Sequence, residues 1–239
     1  MGVNVYEYLI FDGVSTEDFG VHISGSGTYD SPKRDIESCS IPGRDGDLHI
    51  DHGRFENISI EYPAFCVDNF TENFDAFKAF MHSRAGGYKR LEDSYHPGYY
   101  RRAAYNDSLT PNMTPRNKAG DFTIVFDCDP RRFLTDGEEP IEVTTGSQLK
   151  NPTYFNSRPL IRAYGTGSFT IEGVTVIITS ANVYTDIDCE LEDAYKESTN
   201  CNGNITLTNG EFPRLKPGLN TITFTGLTRL IITPNWWTV

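Results

Sequence analysis

Gly218-Leu219-Asn220-Thr221-Ile222-Thr223-Phe224-Thr225-Gly226, followed shortly by Leu230-Ile231-Ile232-Thr233-Pro234-Asn235-Trp236-Trp237-Thr238-Val239, is the stretch that decides the fold class. Apolar and polar residues alternate through the first segment, the period of a half-buried strand. A Gly-bounded turn leads to a second apolar strand, and a tandem Trp follows. Both tryptophans of the chain lie in its last four residues. Two such side chains imply a docked C-terminal strand rather than a frayed tail. Alternation carried through Arg229–Val239 places Trp236 and Trp237 on opposite faces of a final strand. One is then expected to close a core, and the other to face outward or meet the N-terminal domain.

The same texture extends upstream. Phe169-Thr170-Ile171-Glu172-Gly173-Val174-Thr175-Val176-Ile177-Ile178 reads as a hairpin turning at Glu172-Gly173, and Ile205/Leu207 marks a further strand. Short strands at this rhythm, without a helix, predict a β-sandwich or jelly roll over residues 138–239. Asp136-Gly137-Glu138-Glu139-Pro140 is the expected boundary.

Residues 1–137 are predicted to form a separate β domain with one helix. Ile58, Ile60, Tyr62, Ala64 and Cys66 alternate with polar residues. Ile41-Pro42-Gly43-Arg44-Asp45-Gly46-Asp47-Leu48 has the punctuation of a hairpin connection. Phe70, Phe74, Phe77, Phe80 and Met81 build one apolar stripe, predicting a helix at about 70–84 packed on a sheet. Asn69 is the expected cap, with Gly86 and Gly87 as the stop. Tyr88–Leu91, Tyr99–Ala103 and Phe122–Phe126 read as strands, and Asn106–Gly120 as a long loop of the kind that carries contacts. The fold class is therefore mostly β with one α-helix.

Composition narrows function. The formal net charge is −12, which disfavours sequence-independent nucleic-acid binding. No apolar run approaches the ~20 residues of a membrane span. Met1–Tyr8 has neither a basic segment nor an apolar core, so no secretory signal is expected there, and Tyr6 stands where a myristoylation signal needs Ser or Thr. Cys39, Cys66, Cys128, Cys189 and Cys201 are odd in number and widely spaced, which fits free thiols in a reducing compartment.

No catalytic, cofactor-binding or metal residue is assigned. The fingerprints of nucleophile elbows, zinc proteases, P-loops and dinucleotide folds are missing. His49 and Asp51 share a strand face while His52 points away, too few ligands for a metal. Asp186, Asp188, Glu190 and Glu192 would line one face of a strand. That row reads as a solvated face, with Ca²⁺ binding or saccharide hydrolysis as rivals. Cys128 sits between Asp127 and Asp129, which disfavours its thiolate. Arg131 and Arg132 can pair with acidic groups of a neighbouring domain or subunit, or stand exposed.

Taken in order, several segments resemble the distal tail proteins (Dit) of long, flexible-tailed phages and prophages, especially of Gram-positive hosts. They are Phe11–Gly20, Ile41–Leu48, Gly87–Asp93, Phe126-Asp127-Cys128-Asp129-Pro130-Arg131-Arg132-Phe133, Asn151-Pro152-Thr153, Arg158–Ile161, Ile187–Cys189, Asn209–Pro213, Leu215–Asn220 and Pro234-Asn235-Trp236-Trp237. The resemblance implies an N-terminal ring-forming β domain, a C-terminal galectin-like β-sandwich and a hexameric ring at the virion tail tip. It implies partners too: the tail tube protein, the tail-tip or tail-associated lysin protein, and receptor-binding proteins at the periphery. DNA would pass through the lumen, where acidity repels phosphate over roughly a Debye length of ~8 Å. It implies no enzyme activity, cofactor or membrane insertion.

The alternative is a carbohydrate-binding module recognising host surface glycan, and an enzyme acting through Asp186–Glu192 is the third reading. Sugar sites of galectins rest on a His-Asn-Arg set with a stacking Trp and a Glu. All five histidines lie before residue 97, outside the C-terminal half.

Overall fold

Alternation at Ile58–Cys66 and at Gly120–Cys128 places two strands back to back in register. In the computed structural model, which describes residues 6–25, 27, 29–113 and 118–239, Ile60 faces Phe126, Tyr62 faces Ile124 and Ala64 faces Phe122 across this antiparallel pair. All six are buried. The chain folds as two units, one ending at Arg132 and one spanning Phe133–Thr238.

The first unit holds β1 (Leu9–Phe11), β2 (Val14–Ser15), β3 (His22–Ile23), β4 (Arg34–Cys39), β5 (Leu48–Phe55), β6 (Ile58–Cys66), α1 (Phe70–Ser83), β7 (Lys89–Asp93), β8 (Tyr99–Ala104), β9 (Asn112–Met113) and most of β10 (Gly120–Leu134). Its main sheet runs in the order β2-β1-β7-β8-β10-β6-β3, with β9 on β10. The predicted strands after the helix are β7, β8 and β10. The expected loop Asn106–Gly120 carries a short strand, β9, since Met113 and Asn112 pair with Gly120 and Asp121. Pro115 and Asn117 of that loop, and Met1–Val5, lie outside the described residues.

The phenylalanine stripe of α1 lies on this sheet. Phe70, Phe74, Phe77 and Met81 are buried, and the ring of Phe74 meets that of Phe122 edge-on at 4.9 Å. Burying each such side chain contributes roughly 1.5–3 kcal/mol. Gly120 makes the approach possible, because a Cβ there would lie 2.6 Å from Phe70 Cε2. The helix ends at Ser83 with Arg84 as its C-cap (φ −101°), and Gly86 and Gly87 turn left-handed (φ 84° and 69°) only beyond the residue after that cap. Its start differs from expectation. Asn69 adopts a left-handed conformation (φ 47°) and its side chain caps nothing. Side-chain capping needs an extended cap residue that aims its oxygen at the first free N–H groups. Here Asn73 supplies the local bonds, its backbone N–H donating to Asn69 O (3.0 Å) and its amide to Asp68 O (3.0 Å).

The second unit is a sandwich of two antiparallel sheets. Its strands are β11 (Ile141–Val143), β12 (Ser147–Asn151), β13 (Leu160–Tyr164), β14 (Gly167–Ile171), β15 (Val174–Ile178), β16 (Tyr184–Asp188), β17 (Asp193–Lys196), β18 (Thr199–Asn200), β19 (Ile205–Leu207), β20 (Gly218–Thr225), β21 (Arg229–Thr233) and β22 (Trp237–Thr238). One sheet is ordered β11-β21-β13-β16-β17-β18 and the other β12-β20-β14-β15-β19. Ile161, Ile187, Leu230 and Ile232 from the first meet Phe169, Ile171, Val176 and Ile222 from the second in one core. The hairpin β14–β15 turns at Glu172 and Gly173, both at positive φ (48° and 87°), the geometry that suits a right-twisted ribbon.

The continuous final strand expected over Arg229–Val239 is interrupted. β21 ends at Thr233, because Pro234 has no N–H to donate and Asn235 turns left-handed (φ 55°). Asn235 instead donates its N–H to Gly137 O at 2.8 Å and its amide to Arg158 O at 3.1 Å. The two tryptophans nevertheless separate. Trp236 is buried in the sandwich core, while Trp237 stacks on Phe155 at 4.3 Å and donates its indole N–H to Asn156 O.

Candidate interaction surface

The hairpin β4–β5 forms a two-stranded sheet of its own and contributes no residue to the core of the first unit. The Pro-Gly and Asp-Gly signals at Ile41–Leu48 form its connection, with Gly43 and Gly46 at φ 81° and 79°. Cys39 pairs with Leu48, Glu37 with Ile50, Ser38 with His49 and Ile36 with Asp51. Leu48 and Ile50 thus share one face, and Ile36 lies on the other. Ile36, Leu48 and Ile50 are 42–44% exposed, and Ile41 at the tip is 39% exposed.

Cross-strand polar contacts hold the arm in register. Arg34 forks onto Asp51 (3.0 Å) with its guanidinium 4.9 Å over Phe55, Arg54 meets Asp35 at 2.7 Å, and Lys33 meets Glu56 at 3.1 Å. The Arg54 and Arg34 hydrogen bonds hold the carboxyls of Asp35 and Asp51 below the usual carboxylate range. Exposed pairs of this kind contribute ~0–1 kcal/mol each. A two-stranded hairpin is marginal alone in water, and this one displays branched apolar side chains on both faces.

The residues considered for chemistry do not converge. His49 Nδ1 lies 2.9 Å from Ser38 Oγ, Asp51 is held by Arg34, and His52 faces Glu37 at 3.7 Å on the other side. Among the described residues no group of three or more His, Cys, Asp or Glu is placed to hold a metal.

The acidic row Asp186–Glu192 does not form one face. β16 ends at Asp188, whose carboxylate accepts the N–H groups of Glu190 and Leu191 to shape a turn, and Glu192 is left-handed (φ 55°). Asp186 is buried and bound by Arg162, while Glu190 pairs with Arg158 at 3.7 Å. A turn-forming Asp competes with strand continuation, and the spacing alone conceals this.

Burial pushes the Cys128 thiol up to about 12, with Asp127 and Asp129 adding less. The flanking carboxylates are thus a minor cause of its inertness. Cys189 is raised in the same way by burial. All five cysteines are unpaired. Arg131 is claimed locally by Asp129 (2.9–3.0 Å), and Arg132 stacks its guanidinium 4.6 Å over the Tyr99 ring.

Three comparisons bear on this architecture. No protein-family model and no curated protein matches the chain. Solved structures do. The Dit protein of phage SPP1, described as a paradigm of the hub adsorption apparatus in phages that infect Gram-positive hosts, superposes with a TM-score of 0.75 at 16% identity, covering 98% of this chain and 100% of that one. A chain of the phage P2 baseplate in its activated conformation with Ca matches with a TM-score of 0.52 at 12% identity, covering 95% and 97%. The corresponding Sr structure gives 0.52, 12%, 96% and 98%. From its first β unit through its tandem Trp, this chain has the fold of the SPP1 Dit protein.

Proposed function

We propose that this protein is a structural hub of a phage or prophage tail. It oligomerises into a ring, hexameric by analogy, at the tail tip, where it joins the tail tube to tail-tip, tail-lysin or receptor-binding proteins and leaves a channel for DNA. The observation that carries the reading is the match in fold to a phage hub protein over both chains' whole length. The ordered sequence motifs agree with it.

Residues 1–137 would supply the ring and residues 138–239 a galectin-like sandwich facing outward partners. The exposed β4–β5 arm is the surface assigned to self-association, because burying Ile36, Leu48 and Ile50 against a second copy removes apolar area that a monomer leaves wet. The role is structural rather than enzymatic. Light scattering on the purified full chain tests it: a concentration-dependent mass several times that of the 26.9 kDa monomer supports the reading. A strict monomer at all concentrations, alone and with tail partners, contradicts it.

A further inference from the structure

The first unit buries an arginine that no carboxylate hydrogen-bonds among the described residues. Arg101 lies on β8 opposite Leu91 of β7, and its residue is only 5% exposed. Its Nη1 is buried and has no hydrogen-bond partner among the described residues. The nearby carboxylate of Asp93 is already engaged, accepting from the Tyr62 hydroxyl (3.0 Å) and lying 2.8 Å from His96 Nδ1. Burial depresses the pKa of Arg101 and the positive charge of Arg132 adds to the effect, while Cys128, Tyr62 and Asp93 oppose it.

Arg132, itself only half-buried, presents one buried donor from the next strand. Tyr99 and Arg101 alternate on β8 and so project to one side. Arg132 stacks on Tyr99, which brings its guanidinium to that side. Its Nε is likewise buried and unpartnered among the described residues. An unpaired buried ion costs several kcal/mol, and buried polar groups are almost always hydrogen-bonded. Two neighbouring cationic donors left without an acceptor point to a missing negative charge.

We propose that Arg101 and Arg132 form a buried anion site between β8 and β10 that takes a small inorganic anion of chloride size. Small size follows from the enclosure of both donor atoms, and anionic charge from the two guanidinium groups. The site is independent of the assembly role, because both arginines belong to the first unit and neither lies on the β4–β5 arm. In the full chain the anion would neutralise a like-charge pair that otherwise opposes β8–β10 closure.

Thermal unfolding of the full-length protein tests it. Chloride would be titrated against gluconate, which is too bulky to enter, at constant ionic strength. The wild type should gain a saturable rise in Tm with chloride. Arg101→Met and Arg132→Gln should lose that chloride dependence, and Arg101→Met in gluconate should be no less stable than wild type. A parallel rise in wild type and variants overturns the proposal. Should the variants fail to fold, wild-type crystals grown in bromide decide: an anomalous peak within hydrogen-bond reach of Arg101 Nη1 supports it, and ordered water alone there overturns it.

Discussion

Asp186 and Arg162 meet in a two-pronged ion pair on the outward face of the second unit's larger sheet, Nε to Oδ1 at 2.6 Å and Nη2 to Oδ2 at 2.8 Å. Their register neighbours Ile161 and Ile187 point into the core. The pair is lopsided: the Asp186 side chain is 5% exposed and that of Arg162 42%. The guanidinium also lies 4.4 Å over the Tyr184 ring. An acid buried on a nominally solvated face is tolerable only because arginine and tyrosine cover it, and the hydrogen bonds to Asp186 raise the Arg162 pKa.

Replacing Arg162 with Met should therefore leave an uncompensated carboxylate. The expected loss is about 2 kcal/mol, set between the ~0–1 kcal/mol of exposed pairs and the ~3–5 kcal/mol of fully buried ones. Denaturant unfolding checks this, and Arg162→Met combined with Asp186→Leu should recover most of the loss.

Gly137 is fixed by Trp236. A Cβ on Gly137 would fall 2.5 Å from the Trp236 backbone N, and Gly137 O accepts the Asn235 N–H. Gly137→Ala should push the Trp236 segment away at a cost of roughly 1–3 kcal/mol. Tryptophan fluorescence should shift to the red, whereas Gly173→Ala, where nothing lies within 4 Å of the added Cβ, should leave the emission unchanged.

Stability should fall at alkaline pH. The Cys128 thiol is raised from 9.0 to about 12 by burial, and the Tyr105 hydroxyl from 10.0 to about 12 by burial and Asp107. In the unfolded chain each loses its proton at the lower value, so ionisation favours unfolding. The contribution is intact below pH 9 and is lost as pH rises towards 12. Cys128→Ala should flatten the portion of the decline that begins near pH 9, measured as Tm against pH. The same burial predicts that native Cys128 and Cys189 resist alkylation at pH 8 while Cys39 reacts.

Charge placed on the arm should separate assembly from folding. Leu48→Glu with Ile50→Glu alters side chains already 42% exposed, so the monomer should change in stability by less than ~1 kcal/mol. Self-association, read by sedimentation, should be lost.

Much of the fold was legible because its signals are local. The β6 alternation, the α1 phenylalanine stripe and the Glu172-Gly173 turn each follow from spacing within one segment. What failed depends on backbone states that neighbours impose. Asn69 looked like a side-chain cap and is left-handed. Arg229–Val239 looked like one strand, yet Pro234 and Asn235 divide it and tie it to Gly137 and Arg158. Asp188 looked like one of four carboxylates on a face and instead folds a turn. The hairpin was readable from its glycines, but its exposure was not, since alternation cannot tell a strand that packs on a core from one that stays exposed. Arg101 gave no signal at all, because an arginine beside Arg102 in a strand reads as solvated.

The most direct test of the account is an electron-microscope image of the purified full-length protein in negative stain. The account predicts closed rings with a central hole, lost in the Leu48→Glu, Ile50→Glu variant. Isolated monomers without rings, at high concentration and in the presence of tail components, would contradict it.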